Sequence, residues 1–163
     1  MKHIVTGGAG FIGSHLVKKL VEQGDEVVVI DNHSSSGGEL LNDNALKQSV
    51  KTISGDISYI KCQTGLHDKL TSAFEGADTV FHLAARARVQ PSIENPILYN
   101  ATNVEGTLNM LEYARKANAR RFVFTSSSSL YGDTETFPTP ETLQPNPLSP
   151  YGLQKLIGEQ YCQ

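Results

Sequence analysis

Tryptophan is missing from this chain, and cysteine occurs only as Cys62 and Cys162. Two thiols so far apart, in no metal-ligand spacing, make neither a disulfide framework nor a zinc site, and they fit a reducing, cytoplasmic setting. The histidines are equally scattered (His3, His15, His33, His67, His82), which argues against a metal centre. No apolar run approaches the roughly 20 residues of a membrane span. A basic excess is lacking too: 14 Lys and Arg against 17 Asp and Glu leave a net charge of -3. Such a chain offers no field for nucleic acid. Its start, a short apolar strand running into glycines, matches neither a secretory signal nor a transit peptide, and no internal repeat is visible.

What is present is the composition of a globular domain, 39% hydrophobic and 19% charged over 163 residues. That length can bury a substantial single core. Apolar and β-branched runs at 2–6, 26–30, 50–54, 78–83 and 121–126 predict five strands. Helical periodicity predicts helices over 12–23, near 66–75, and as one long element over 97–117 with Leu98, Ala101, Val104, Leu108, Leu111 and Ala114 on one stripe. Residues 32–46 read as polar loop with a helical turn near the end, and 132–148, with four prolines, as loop. A last helix starts at Ser149-Pro150, a suitable cap and first-turn pair. Strands alternating with helices predict an α/β fold: a doubly wound parallel sheet with helices on both faces.

The opening "HIVTGGAGFIGSHLVKKL" places Gly7, Gly10 and Gly13 between the first strand and the first helix. Gly7 permits a sharp turn, Gly10 a close approach of backbone to ligand, and Gly13 tight packing of helix on sheet. The helix end then offers N–H groups and a positive dipole to a diphosphate. Asp31, closing the second strand about 20 residues later, can accept from both ribose hydroxyls of an adenosine and would repel a 2′-phosphate, so NAD is favoured over NADP. Asp56, after the third strand, could accept from the adenine amino group or simply close a turn.

"TGGAGFIGS", "DNHSSSG", "GDI", "FHLAA", "NVEGT", "SSSSLYG" and "YGLQK" follow one another in the order and approximate spacing of the extended short-chain dehydrogenases/reductases. Among these the chain most resembles the NAD-dependent nucleotide-sugar 4-epimerases of the UDP-glucose/UDP-galactose type, a Rossmann fold, over essentially all its length. The resemblance implies an NAD site that includes Phe11 and Ile12 of the glycine motif, Asn32 and Ser36, Ile57, and Leu83-Ala84-Ala85 after His82. It implies that Asn103 supports the active-site helix and belongs to the same site. It makes Ser127 the catalytic serine, four residues before Tyr131, and Tyr151 with Lys155 the catalytic pair, both also touching the cofactor. His82 itself reads as a packed core histidine. Arg86 and Arg88 are either near the sugar or solvated.

Tyr151 and Lys155 stand at i and i+4, so on a helix they share a face. An ordinary tyrosine ionises near pH 10. A lysine ammonium and a nicotinamide cation nearby favour the phenolate, which could take the proton from a sugar hydroxyl while hydride leaves its carbon. Ser127 would orient the reacting oxygen. The family's dehydratases carry an Asp-Glu pair after the catalytic hydroxyl residue, and its decarboxylating members a Glu two residues before the tyrosine of the Tyr-Gly. Ser128 and Ser129 stand there instead, so oxidation and re-reduction, hence epimerisation, is preferred, with reduction an alternative.

Members of this family run to about twice this length. Residues 1–163 are therefore expected to form the NAD-binding domain, without the C-terminal region that holds the substrate's nucleotide. The fifth strand is expected to lie at an open edge. Three readings follow: a short or partial 4-epimerase acting on a nucleotide sugar, an NAD-binding module without turnover, or an interaction protein whose fold a partner completes. Relatives dimerise through the long helix and the catalytic helix, which implies a homo-oligomer.

Overall fold

Alternation along an inner strand of the sheet builds two cores at once. A computed structural model describes residues 1–34, 43–60, 63 and 65–163. In it the strands β1 (Lys2–Thr6), β2 (Glu26–Asp31), β3 (Lys51–Ser54), β4 (Thr79–His82) and β5 (Arg121–Phe124) pair in parallel, in the order β3-β2-β1-β4-β5. On β2, Val27 and Val29 point to one face, where Val17 and Leu20 of α1 (Phe11–Glu22) and Leu46 of α2 (Asn44–Gln48) meet them. Val28 and Ile30 point to the other, against Leu66, Leu70 and Phe74 of α3 (Leu66–Phe74). Each such Val, Leu or Ile contributes about 1.5–3 kcal/mol by leaving water. The strand order reverses beside β1, and ligands of such sheets bind at that point, outside the carboxyl ends of the strands.

The expected single helix over 97–117 is a broken one. Residues Val89–Glu94 form α4, and Pro96–Asn100 form α5, whose start Asn95 caps by accepting from the Leu98 amide. A π-helical turn over Ala101–Glu105 follows, then α6 (Gly106–Lys116). The wider turn rotates what comes after it. Leu108, on the expected buried stripe, is exposed, while Met110 is fully buried against the core of α3. A strict 3.6-residue pattern cannot register such a turn. The helical turn expected near residue 46 is α2, capped by the Asp43 carboxylate accepting from the Leu46 amide.

Residues Ser128–Tyr131 form a short 3₁₀ turn, and Pro150–Tyr161 form α7, capped by the Ser149 hydroxyl accepting from Gly152 N–H at 3.1 Å. Ser92 joins α4 to α7: its hydroxyl, itself fully buried, accepts from the Tyr151 amide at 3.1 Å and donates to Val89 O at 2.6 Å. Strand β5 pairs only with β4 among the described residues. Beside α5 and α7 an open groove of about 680 Å³ is lined by Tyr59, Ile97, Leu148, Leu153 and Ile157, with Ile97 82% exposed. Among the described residues no helix is long and apolar enough to cross a membrane.

Candidate functional site

A cavity of about 320 Å³ opens where the carboxyl ends of β1, β2, β3 and β4 meet the start of α1. The turn from β1 into α1 forms one wall. Gly7 has φ +70°, and a Cβ there would meet the Ala84 amide nitrogen at 2.7 Å. A Cβ on Gly13 would strike the carbonyl oxygen of Gly7. Glycine is therefore required twice, once for a left-handed bend beside β4 and once to let α1 seat against its own turn. No side chain caps α1, and its first turn holds no acidic residue, so the positive end of the helix is left to the cavity. Phe11, 70% exposed, and Ile12 stand at that end as apolar lining.

Two carboxylates face the same space. Asp31 is buried, with Oδ2 accepting from the Ala9 amide at 3.0 Å and Oδ1 from the His33 amide at 2.7 Å. Each carboxylate oxygen has a second acceptor site, so Asp31 remains able to accept from a ligand hydroxyl. Asp56 accepts from the Ser58 amide at 2.9 Å and from Asn32 Nδ2 at 3.2 Å. Burial pushes its carboxyl up, but the Ser58 and Asn32 hydrogen bonds and the charge of Arg86 outweigh that and hold it below the ordinary carboxylate range. Asp56 is thus an anion and an acceptor.

Behind the cavity runs a chain of hydrogen bonds whose direction can be worked out. Thr107 Oγ1 donates to Asn103 O at 2.7 Å, so toward His82 Nε2, 3.0 Å away, it must accept. Nε2 then carries the proton and Nδ1 is an acceptor. Thr6 Oγ1, 2.8 Å from Nδ1, donates to it and accepts from the Ala84 amide at 3.2 Å. Burial, and to a smaller extent the charge of Lys155, holds the His82 pKa down to about 3, so the ring is neutral. His82 is the packed core histidine the sequence suggested, and it fixes the amide of Ala84 on the cavity floor. Asn103 continues the brace: Oδ1 accepts from Arg86 N–H at 2.8 Å, and Nδ2 donates to Arg86 O at 3.0 Å and to Gln154 Oε1 at 2.9 Å. One buried amide in the π turn therefore holds both the loop after β4 and the middle of α7.

On α7, Lys155 is buried, its Nζ donating to Thr125 O at 2.8 Å and lying 4.9 Å from the ring centre of Phe124 and 5.9 Å from that of Tyr151. Burial brings its pKa down to about 8. Thr125 lines the cavity, so the lysine sits one residue behind it. Ser127 caps the 3₁₀ turn by accepting from the Ser129 amide at 3.2 Å. The helix approaches that turn through Gly152, where a Cβ would strike the Ser129 carbonyl oxygen. The hydroxyl of neighbouring Ser126 is buried and has no partner.

Of the residues singled out in the sequence, Gly7, Gly10, Phe11, Ile12, Gly13, Asp31, Asn32, Asp56, Ile57, Leu83, Ala84 and Ala85 line the cavity. Ser36 lies outside the described residues. Asn103, Ser127, Tyr151 and Lys155 do not line it. Asn103 braces the loop behind it, Ser127 caps the 3₁₀ turn, and Tyr151 and Lys155 lie on α7. Sequence reasoning missed Ile30, Ser34, Thr102 and Thr125 and left Arg86 undecided; these and Gly55 all line the cavity. Each adjoins a motif residue or lies within two positions of one, which was the only signal available.

A sheet that reverses its winding beside a glycine turn, with a helix end and a strand-end carboxylate facing one crevice, defines a dinucleotide-binding α/β domain. The chain belongs to the NAD dependent epimerase/dehydratase family, whose family model matches residues 3–163. It is 38% identical over 162 residues to a UDP-glucose 4-epimerase of Mycolicibacterium smegmatis, covering 99% of this chain and 50% of that protein. Among solved structures it resembles a UDP-N-acetylglucosamine 4-epimerase of Methanobrevibacter ruminantium in complex with UDP-N-acetylmuramic acid, at TM-score 0.86 and 35% identity over 98% of this chain and 48% of that one. It also resembles MoeE5 in complex with UDP-glucose and NAD, at TM-score 0.82 and 36% identity over 99% of this chain and 48% of that one. The chain spans about half the length of the curated relatives it matches.

Proposed function

We propose that residues 1–163 form one NAD-binding domain carrying the catalytic residues of a nucleotide-sugar 4-epimerase, with UDP-glucose and UDP-galactose as the substrate pair. The observation that carries this reading is the crevice itself. Its wall is backbone at Gly7, Gly10 and Gly13, its helix end is uncapped, and a strand-end carboxylate, Asp31, shares the lining. These residues fit the cofactor. Gly7, Gly10 and Gly13 with the first turn of α1 would hold its diphosphate, Asp31 and Asn32 its adenosine ribose, and Asp56 and Ile57 its adenine. Leu83, Ala84 and Ala85 would lie along it.

NAD, when bound, supplies a reversible hydride acceptor for a carbon bearing a hydroxyl. Tyr151 takes the proton of the sugar's C4 hydroxyl and later returns it. Lys155, an ammonium below pH about 8, favours the ionised phenol next to it and holds the ribose hydroxyls of the nicotinamide. Ser127 hydrogen-bonds the C4 oxygen and orients it. Asn103 keeps α7 in register with the loop after β4. The relatives run to about twice this length, and on this reading the pocket for the substrate's nucleotide lies outside these residues. A second copy of the chain is the expected partner, docked on the groove beside α5 and α7. A cytoplasmic setting goes with this chemistry and with the free thiol of Cys162.

The test is calorimetric titration with NAD and NADP, then UDP-glucose/UDP-galactose interconversion in the same sample. NAD is expected to bind more tightly than NADP, and Tyr151→Phe to keep NAD binding while losing about 10²–10⁴-fold in turnover. Preference for NADP, or undiminished turnover by the variant, would overturn the assignment.

A further inference from the structure

Within the cavity the charges do not balance for the ligand it is expected to take. Two carboxylates line it, Asp31 and Asp56, and Arg86 is the one basic side chain among the described residues that does. A diphosphate would bring further negative charge into this partly enclosed space, where repulsion is weakly screened.

We propose that Arg86 is the cation that receives the cofactor's diphosphate in the cavity walled by the glycine turn. Three observations carry this, and it rests on reading the crevice as an NAD site. The guanidinium has no hydrogen-bond or ion-pair partner among the described residues, and its Nε is buried with none. The terminal Nη atoms, equally without partners, keep accessible surface, and a bound anion would satisfy them. The backbone of Arg86 is gripped on both sides by Asn103, N–H at 2.8 Å and C=O at 3.0 Å, so the side chain springs from a fixed point. Its charge already reaches Asp56 across the cavity, without pairing with it. The glycine turn offers only dipoles to a phosphate; Arg86 adds a full charge and a planar fork of donors.

Four ligands separate this from other roles: adenosine, AMP, ADP and NAD, titrated into wild type, Arg86→Gln and Arg86→Lys at low and high salt. For Arg86→Gln, affinity for ADP and NAD should fall about 10- to 100-fold, while that for adenosine changes less than about twofold. The salt dependence of ADP binding should shrink in Arg86→Gln and persist in Arg86→Lys, which keeps the charge and loses the fork. Loss of adenosine and ADP binding in equal measure would overturn the proposal in favour of stacking on adenine, and so would unchanged ADP binding. If Arg86→Gln does not fold, Arg86→Lys and the wild-type salt response decide: ADP affinity no more salt-sensitive than adenosine affinity overturns it. Failure of the wild type to bind any of the four sinks the NAD reading itself, a different result from all of these.

Discussion

His82 and Lys155 are buried bases, and burial acts on both in the same direction. For His82 the folded pKa is about 3 against an ordinary 6.5. Between those values the unfolded chain binds the proton and the folded chain does not, so stability falls as pH drops through 6.5 toward 3. By pH 4.5 the loss should be on the order of 2–3 kcal/mol. The depressed carboxylates Asp56 and Glu112 join in only as pH falls to their ordinary values of 3.8 and 4.5, so above about pH 5 His82 dominates the response. Urea unfolding at pH 7 and 4.5 checks this: His82→Gln, which cannot titrate, should show a much flatter response than wild type. Lys155, at about 8 against 10.5, is the alkaline counterpart. Its buried ammonium costs stability at neutral pH, and the cost is relieved as pH rises from 8 to 10.5. A charge retained at such a cost beside Tyr151 is the pattern expected of a working group. Arg88 belongs to the same class of expense, an ordinary residue held at φ +86° ahead of α4.

Elements that bury one clean stripe or one run of β-branched residues were legible from the sequence: the five strands, α1, α3 and the start of α7 all fall within a residue or two of expectation. The region 89–116 was not. Its π turn places Asn103 inward and shifts the later stripe from Leu108 to Met110, and no periodic template includes that step. The cofactor half of the site was legible because glycine spacing and a strand-end aspartate are local features. Arg86, Thr102 and Thr125 were hidden because only the sheet brings them to Gly7 and Asp56. Gly152 shows a local residue whose reason is tertiary. It stands inside the Tyr151–Lys155 pair, and it is where α7 touches Ser129. Gly152→Ala should improve helix propensity by up to about 1 kcal/mol and still lower thermal stability, by about 1–3 kcal/mol of overpacking. It should also cut turnover more than NAD affinity, since it displaces Tyr151 from Ser127 and leaves the glycine turn alone. A rise in melting temperature with intact turnover would count against this contact.

Across the whole molecule, the strand ends and the cavity lie together, while Ile97, Leu148 and Leu153 stand exposed beside α5 and α7. If that face docks a second copy, sedimentation of the wild type should give a dimer. Ile97→Glu, at a position 82% exposed and so without a core role, should give a folded monomer with unchanged NAD affinity. A monomeric wild type would remove the proposed partner. The directed run of donors from Ala84 through Thr6, His82 and Thr107 to Asn103 joins these two sides. No member can turn its hydroxyl or ring around by itself, since reversing one would leave an amide or a carbonyl at the ends unanswered. The floor beneath the nucleotide and the helix that positions Tyr151 consequently hold or slip as a unit, and deuterium uptake at the Ala84 amide would report on both.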